Sequence, residues 1–202
     1  DPRNENLLYV GMERGIQASW DGGKEWHDIR LNLPRVSVRD IKIQPQYNDI
    51  VIGTHGRGAW ILDDIAPLQG LADVMYEPLH VFPMRTATWW QQWNQDASQG
   101  QRFFYGENPA DGAWVNFWLA EDPTEPVNVT ITDADGETVQ SFPVENAEAG
   151  VNRAIWSLRR QGPEPSRSGG GGGGFFARFA RFGAPALPGT YTATVTGGDL
   201  ES

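Results

Sequence analysis

A sequence repeat of about 43 residues in the first third of the chain constrains the fold more than any other feature. Segments 1–15 and 44–58 have similar sequences. Their matched positions are Pro2 with Pro45, Val10-Gly11 with Ile52-Gly53, and Arg14-Gly15 with Arg57-Gly58. The first and last matches lie 43 residues apart and the middle match 42. Such a repeat predicts structural units that stack on one another, because one unit alone cannot bury its apolar faces.

The repeated units consist of short β-strand patterns. Runs of β-branched, aromatic and apolar residues are separated by Gly, Pro, Asn and Asp, which is typical of strands and tight turns. The predicted strands are Leu7–Met12, Ile16–Ser19, Glu25–Ile29, Val38–Gln44, Ile50–Thr54 and Ala59–Asp63. Since blades of a β-propeller repeat roughly every 40–50 residues, the sequence predicts incomplete blades of a propeller over residues 1–66. The first three strands end one blade, and the other three begin the next.

Residues 19–26 contain a motif with four defined positions, which fit the pattern S-x-D-x-G-x-x-W. These positions are Ser19, Asp21, Gly23 and Trp26. The carboxylate of Asp21 can accept backbone N–H bonds and close an Asx-type turn, and Gly23 can adopt a positive φ. Trp26 then leads the next strand and is expected to bury its ring between sheets. The motif therefore predicts a structural turn.

This motif resembles the Asp box, or BNR motif, of sialidases, sortilin-like receptors and xyloglucan-type glycoside hydrolases. In those families the Asp box is a structural turn distant from the active site, and the resemblance implies the same role here. Residues 54–64 also resemble the last blade of bacterial BNR-repeat or sortilin-like glycosyl hydrolases. The resemblance implies a bacterial protein that is exported to the periplasm, the outer surface or the extracellular space.

The densest polar cluster of the sequence lies in the same segment. It consists of His55, Arg57, Asp63 and Asp64. His55 could act as an acid or base, with the two aspartates assisting it or binding a cation. The alternative is a tight β-hairpin with glycines at strained positions, whose charged residues pair across neighbouring blades. The sequence favours the hairpin and leaves these four residues as ligand or interface candidates.

Residues 67–112 are predicted to form a linker and a Trp-rich loop. Pro67 and Pro78 interrupt the segment, and Leu68–Met75 could form one short helix. Three clustered tryptophans follow, which are Trp89, Trp90 and Trp93. They could form a platform for a sugar ring, or they could pack at an interface between modules. Packing is the favoured interpretation.

Strand patterns return in residues 113–202. Residues 150–158 and 188–195 resemble the Ig-like module of the flagellar hook-capping protein, which implies a β-sandwich. A closing strand should follow the turn at 197–199, but the chain stops at Ser202, so we expect this strand to be missing and the sandwich to be truncated. The Gly-rich insertion 161–187 contains six consecutive glycines and then segment 175–182, in which Phe175, Phe179 and Phe182 share one helical face. This segment could dock on its own protein, on a partner or on a membrane surface, and the first is favoured.

Composition excludes several classes of function. The net charge of −10 opposes nucleic-acid binding, which needs a basic surface. The absence of Cys excludes a disulfide scaffold, a thiol nucleophile and a Cys-type zinc site. No apolar run approaches the roughly 20 residues of a membrane span, and membrane association is not expected. Because the chain begins at Asp1 without a Met, we expect an internal piece of a longer protein. Neither a metal nor a cofactor is predicted.

These features predict an all-β chain made of terminal propeller blades and an Ig-like sandwich. The expected function is that of a non-catalytic C-terminal part of an exported propeller protein, which binds protein, peptide or glycan or acts as a structural subunit. Upstream blades or another chain would cover its open faces. The alternative is an accessory part of a sialidase-like or xyloglucanase-like glycoside hydrolase whose catalytic residues lie upstream.

Overall fold

The computed structural model describes residues 1–90, 106, 108–162, 183–198 and 200–202. Trp93 and residues 163–182 of the predicted insertion lie outside the described residues. Within these ranges the chain is predominantly β, with thirteen strands and one α-helix, so the predicted all-β class is confirmed. The chain divides into two compact units, Asp1–Tyr76 and Glu77–Ser202.

The first unit contains two three-stranded antiparallel sheets. The first sheet has the order β1-β2-β3, with β1 at Leu8–Met12, β2 at Gly15–Ser19 and β3 at His27–Asp28. The second has the order β4-β5-β6, with β4 at Val38–Gln44, β5 at Asp49–Thr54 and β6 at Ala59–Leu62. These strands lie where the sequence predicts them. The two halves of the repeat form equivalent hairpins, β1-β2 and β5-β6.

One apolar core joins the two sheets. Ile16 and Ala18 of β2 and Ile50 and Ile52 of β5 are buried in it. These residues alternate along their strands, which places them on one face of each sheet. Burial of each isoleucine contributes roughly 1.5–3 kcal/mol, so the stacked pair of sheets is the main source of stability in this unit.

Helix α1 (Ala66–Val74) completes the first unit. It begins with Pro67 in its first turn, where a missing N–H costs no intrahelical bond. The Trp20 indole N–H donates to the carbonyl of Leu68 at 2.6 Å. The side chains of Gln69 and Asn48 exchange hydrogen bonds of 2.9 and 3.1 Å. The predicted linker 67–112 therefore contributes α1 to the first unit.

The second unit also contains two antiparallel sheets. One has the order β11-β8-β7, with β7 at Leu79–Val81, β8 at Ala113–Leu119 and β11 at Gly150–Trp156. The other has the order β10-β9-β12-β13, with β9 at Val127–Thr132, β10 at Thr138–Val144, β12 at Thr192–Gly197 and β13 at Leu200–Glu201. Strand β13, which has two residues, follows the predicted turn at 197–199 and pairs with β12, where the sequence led us to expect that the closing strand is missing. Strand β7 lies within the predicted linker and was not predicted as a strand.

The core of the second unit lies between its two sheets. Val115 and Phe117 of β8 face Val127, Val129 and Ile131 of β9 across it. The strict alternation of buried and half-buried residues along β9 shows that one face of this sheet lies inside and the other outside.

Candidate functional site

The Asp21 side chain organises a tight turn between β2 and β3. Its Oδ1 accepts the backbone N–H groups of Lys24 and Glu25 at 2.8 and 3.0 Å and the Ser19 hydroxyl at 2.8 Å. The Ser19 oxygen in turn accepts the N–H of Gly23 at 2.8 Å. Gly23 has a φ of 96°, which a residue with a side chain adopts only with strain. The turn predicted at Asp21 is formed, and the carboxylate is committed to closing it.

These donors stabilise the ionised carboxylate of Asp21. The backbone hydrogen bond from Glu25 is the largest cause, followed by the bond from the Ser19 hydroxyl, and together they lower the pKa of Asp21 below its ordinary value of 3.8. A carboxylate whose pKa is lowered by folding stabilises the folded state above its unfolded pKa. That contribution is lost as the pH falls through the folded pKa.

The substitution Asp21→Asn is therefore expected to lower the Tm most at neutral pH. The difference in Tm between wild type and variant should be constant above about pH 5 and should shrink below about pH 4, where the wild-type carboxylate becomes protonated. Thermal unfolding followed between about pH 2 and 7 measures this dependence. Asp73→Asn on α1 is the control, because exposed Asp73 accepts no hydrogen bond from any described residue. A difference that does not depend on pH would contradict the assigned role of Asp21.

The expectation that Trp26 buries its ring between sheets is wrong. Trp26 is 38% exposed, and its indole N–H donates to the carbonyl of Gly23 at 3.1 Å. The ring covers the turn itself, since β3 lies at the edge of its sheet. The aromatic residue that joins this turn to the rest of the unit is Trp20, through its bond to Leu68.

The segment from His55 to Gly58 forms the loop of the β5-β6 hairpin. The N–H and hydroxyl of Thr54 both donate to the Gly58 carbonyl, at 3.1 and 2.6 Å. Gly56 and Gly58 have φ values of 78° and 71°. His55 and Arg57 are exposed on this loop. The geometry is that of a tight hairpin with glycines at left-handed positions.

Asp63 and Asp64 lie at the other end of β6. The N–H of Asp64 donates to Oδ1 of Asp49 at 2.8 Å, and Asp64 Oδ1 accepts the N–H of Ala66 at 3.3 Å. Asp64 is 4% exposed, at the start of α1. The four residues of β6 separate the two aspartates from His55 and Arg57 by about 13 Å of extended chain. The four candidates therefore do not converge on one reacting centre.

Metal ligation finds no support in the described ranges. They contain no group of three or more His, Asp or Glu side chains that could hold a metal ion. Asp133 and Asp135 have the two-residue spacing of neighbouring ligands in a calcium loop. The Asp133 carboxylate instead accepts the N–H of Glu137 at 3.0 Å and closes the β9-β10 turn.

The two sheets of the first unit stack with unlike faces in contact. Tyr9 lies opposite Ala18 in the β1-β2 pair, so the two side chains share one face of the first sheet. This face belongs to the core and is covered by Ile50 and Ile52 of the second sheet. In the repeat, Tyr9 corresponds to Val51 and Ala18 to Ile61.

Val51 and Ile61 are also a cross-strand pair, but they lie on the face of the second sheet that points away from the core. Ile61 is 59% exposed. Correspondingly, Leu8 lies on the outer face of the first sheet, outside the core cluster. Equivalent faces of the two sheets therefore point in the same direction, and the pair leaves two unlike faces outside the core that the sheets share.

A groove of about 890 Å³ lies in the second unit, at one end of its two sheets. Trp89 lines it and is 47% exposed, with the Arg159 guanidinium 5.5 Å from its ring centroid. Trp90 is 63% exposed and does not line the groove. Trp93, the third predicted member of the cluster, lies outside the described residues.

Sequence reasoning missed two aromatic residues of the groove. Trp156 and Tyr191 meet edge to face with their centroids 4.9 Å apart. The Trp156 indole N–H donates to the Arg159 carbonyl at 2.8 Å, and the Tyr191 hydroxyl donates to the Leu187 carbonyl at 2.6 Å. Both residues belong to the segments that predicted the second module. They meet only because the fold brings the end of β11 close to the residue that precedes β12.

Comparison of the chain with protein-family models, with curated proteins and with solved structures gives no match. In the described ranges, no helix has the length and apolar character needed to span a membrane.

Proposed function

We propose that this chain is the non-catalytic terminal part of an exported β-propeller protein, with two incomplete blades followed by an Ig-like sandwich. In this proposal the first unit stacks against further blades and the second unit serves in binding protein, peptide or glycan. The head-to-tail stacking of the two repeat sheets carries the proposal. When two sheets stack with unlike faces in contact, one kind of face is left at one end of the stack and the other kind at the opposite end. A further sheet of the same kind can pack against either end.

The positions of the polar side chains support a non-catalytic role for this chain. Asp21 and Asp64 accept backbone N–H groups, and His55 lies at the opposite end of β6 from the aspartates. A glycoside hydrolase needs two carboxyl groups on opposite sides of the scissile bond, roughly 5–10 Å apart. The alternative function, an accessory part of a sialidase-like or xyloglucanase-like enzyme, places those groups upstream of this chain.

Turnover assays test the non-catalytic role. The chain is incubated with a panel of chromogenic glycosides and with xyloglucan, and no hydrolysis is expected. Hydrolysis that disappears in Asp63→Asn or Asp64→Asn would overturn the proposal. Unfolding curves of the same variants separate loss of a catalytic group from loss of the fold.

The aromatic groove favours glycan or peptide binding as the activity of the second unit. Its half-exposed Trp89 and the Tyr191 beside Trp156 offer flat apolar surfaces with polar rims, which suit sugar rings and peptide side chains. One charged residue, Arg85, is among its described lining residues. The groove therefore suits a ligand that is recognised through apolar faces more than through charge.

We expect Trp89→Ala to weaken ligand retention and Trp90→Ala to leave it unchanged, because Trp89 alone of the pair lines the groove. Loss of one stacking platform should weaken binding by about tenfold. Affinity electrophoresis in gels that contain xyloglucan measures the glycan case. Equal retention of both variants and wild type would remove the groove from the binding function.

A further inference from the structure

Strand β6 is an edge strand whose outward backbone groups follow from its register. The Thr54 N–H bonds to the Gly58 carbonyl, so the hydrogen-bonded pairs that follow are Ile52 with Trp60 and Ile50 with Leu62. Ala59 and Ile61 alternate with these pairs. Their N–H and C=O groups therefore point away from β5, toward the free edge, where no described residue binds them.

The first half of the repeat shows what such an edge accepts. In β2, Ile16 and Ala18 correspond to Ala59 and Ile61 at a step of 43. Both β2 residues face β3: the Ile16 carbonyl accepts the N–H of Ile29 at 3.2 Å, and Ala18 lies opposite His27. The corresponding groups of β2 are therefore paired by an antiparallel strand.

The second half of the repeat does not supply this strand. A step of 43 from β3 leads to Gly70 and Leu71, which lie in α1. The chain turns into a helix after Asp64, and that helix packs on Trp20 and Asn48 of the same unit. The place next to β6 that β3 occupies in the first sheet is consequently not taken by any described residue.

We propose that the free edge of β6 binds an extended peptide segment of a partner protein by antiparallel strand addition. The repeat gives the direction of the added strand, and two side chains give its chemistry. An aliphatic residue at its centre covers Ile61, which is 59% exposed. An acidic residue at its end lies near the loop that carries exposed Arg57. Main-chain bonds provide affinity, and these two positions provide selectivity.

This inference rests on the proposed equivalence of the two sheets as repeat units. Substitutions at Gly11 and Gly53 test that equivalence through stability alone and leave the edge of β6 intact. Failure of the strand-addition proposal can therefore be distinguished from failure of the repeat assignment.

Amide hydrogen exchange with an added peptide tests the proposal. The probe is a synthetic peptide with the sequence of residues 24–31, which contains β3, and with the change His27→Val, because His27 lies opposite the repeat equivalent of Ile61. Without the peptide, the amides of Ala59 and Ile61 should exchange rapidly and those of Trp60 and Leu62 slowly. At about ten times the Kd of the peptide, exchange at Ala59 and Ile61 should slow roughly tenfold, in proportion to occupancy.

The variant Ile61→Pro removes an outward N–H and should abolish peptide binding, whereas Ile61→Val should retain it. Slow exchange at Ile50 and Ile52 verifies that the sheet persists in the proline variant, because these amides face β6. No protection at millimolar peptide, or equal binding by Ile61→Pro, overturns the proposal. Protection of the same amides by self-association of the chain, with no displacement by the peptide, also overturns it and assigns the edge to a second copy.

Discussion

Replacement of Phe117 by alanine is expected to lower the free energy of unfolding of the second unit by about 3–5 kcal/mol. The Phe117 side chain is 0% exposed, at the centre of β8, with residues of both sheets around it. Truncation removes its transfer free energy and leaves a cavity that the two surrounding sheets cannot close. Hydrogen exchange of the slowest amides in β8 and β9 measures the loss in this unit.

Val151→Ala is the matched control for Phe117→Ala. Val151 lies on the neighbouring strand β11, but its side chain is 44% exposed and the substitution opens no cavity. Its effect should stay below about 1 kcal/mol. Comparable losses in the two variants would contradict the placement of the core between β8 and β9.

Replacement of Gly11 by valine is expected to destabilise the first unit by about 1–3 kcal/mol through overpacking. A Cβ atom at Gly11 would lie 2.7 Å from Cγ1 of Val38 and 3.1 Å from the Val38 carbonyl oxygen. A valine there forces β1 of the first sheet away from β4 of the second. Exchange of the slow amides in β2 and β5 reports the change in stability.

Gly53→Val supplies the control, because Gly53 is the repeat equivalent of Gly11. A Cβ atom at Gly53 would meet its nearest atom, Cβ of Asp40, at 3.5 Å, which is an ordinary contact. The effect on this chain should stay within about 0.5 kcal/mol. Gly11 lies on the face of the first sheet that packs against the second sheet, and Gly53 lies on the equivalent face of the second sheet, which points away from the core. Equal destabilisation by Gly53→Val and Gly11→Val would contradict this assignment of the two faces.

Most strands could be predicted because local pattern and tertiary burial agree. Strands β2 and β9 carry apolar residues at alternate positions, and strands β1 and β5 contain short apolar runs. All four are bounded by turn residues, and these signals are local. Strand β7 has three residues and forms only because β8 lies beside it. Its pairing depends on a segment more than 30 residues away, so no local pattern predicts it.

The candidate site follows the same rule. The Asp21 turn was predictable in its main features because the groups that donate to the Asp21 carboxylate and to the Ser19 hydroxyl all lie in the short segment from Ser19 to Glu25. The position of the Trp26 ring depends on whether another element covers β3, the edge strand that follows it, and the motif carries no information about such an element. The meeting of Trp156 with Tyr191 needs two segments that are 35 residues apart.

The contact between unlike faces of the stacked sheets also determines how further units can be added to the stack. Two identical faces would satisfy each other in a closed dimer, and growth would end there. Stacking through unlike faces does not end with two units, because each added unit presents the same uncovered surface as the unit before it. Growth ends only if each sheet is rotated by a constant angle from the one before it, so that the stack closes into a ring and the last sheet packs against the first. Without that rotation, the same contacts would build an open-ended fibre.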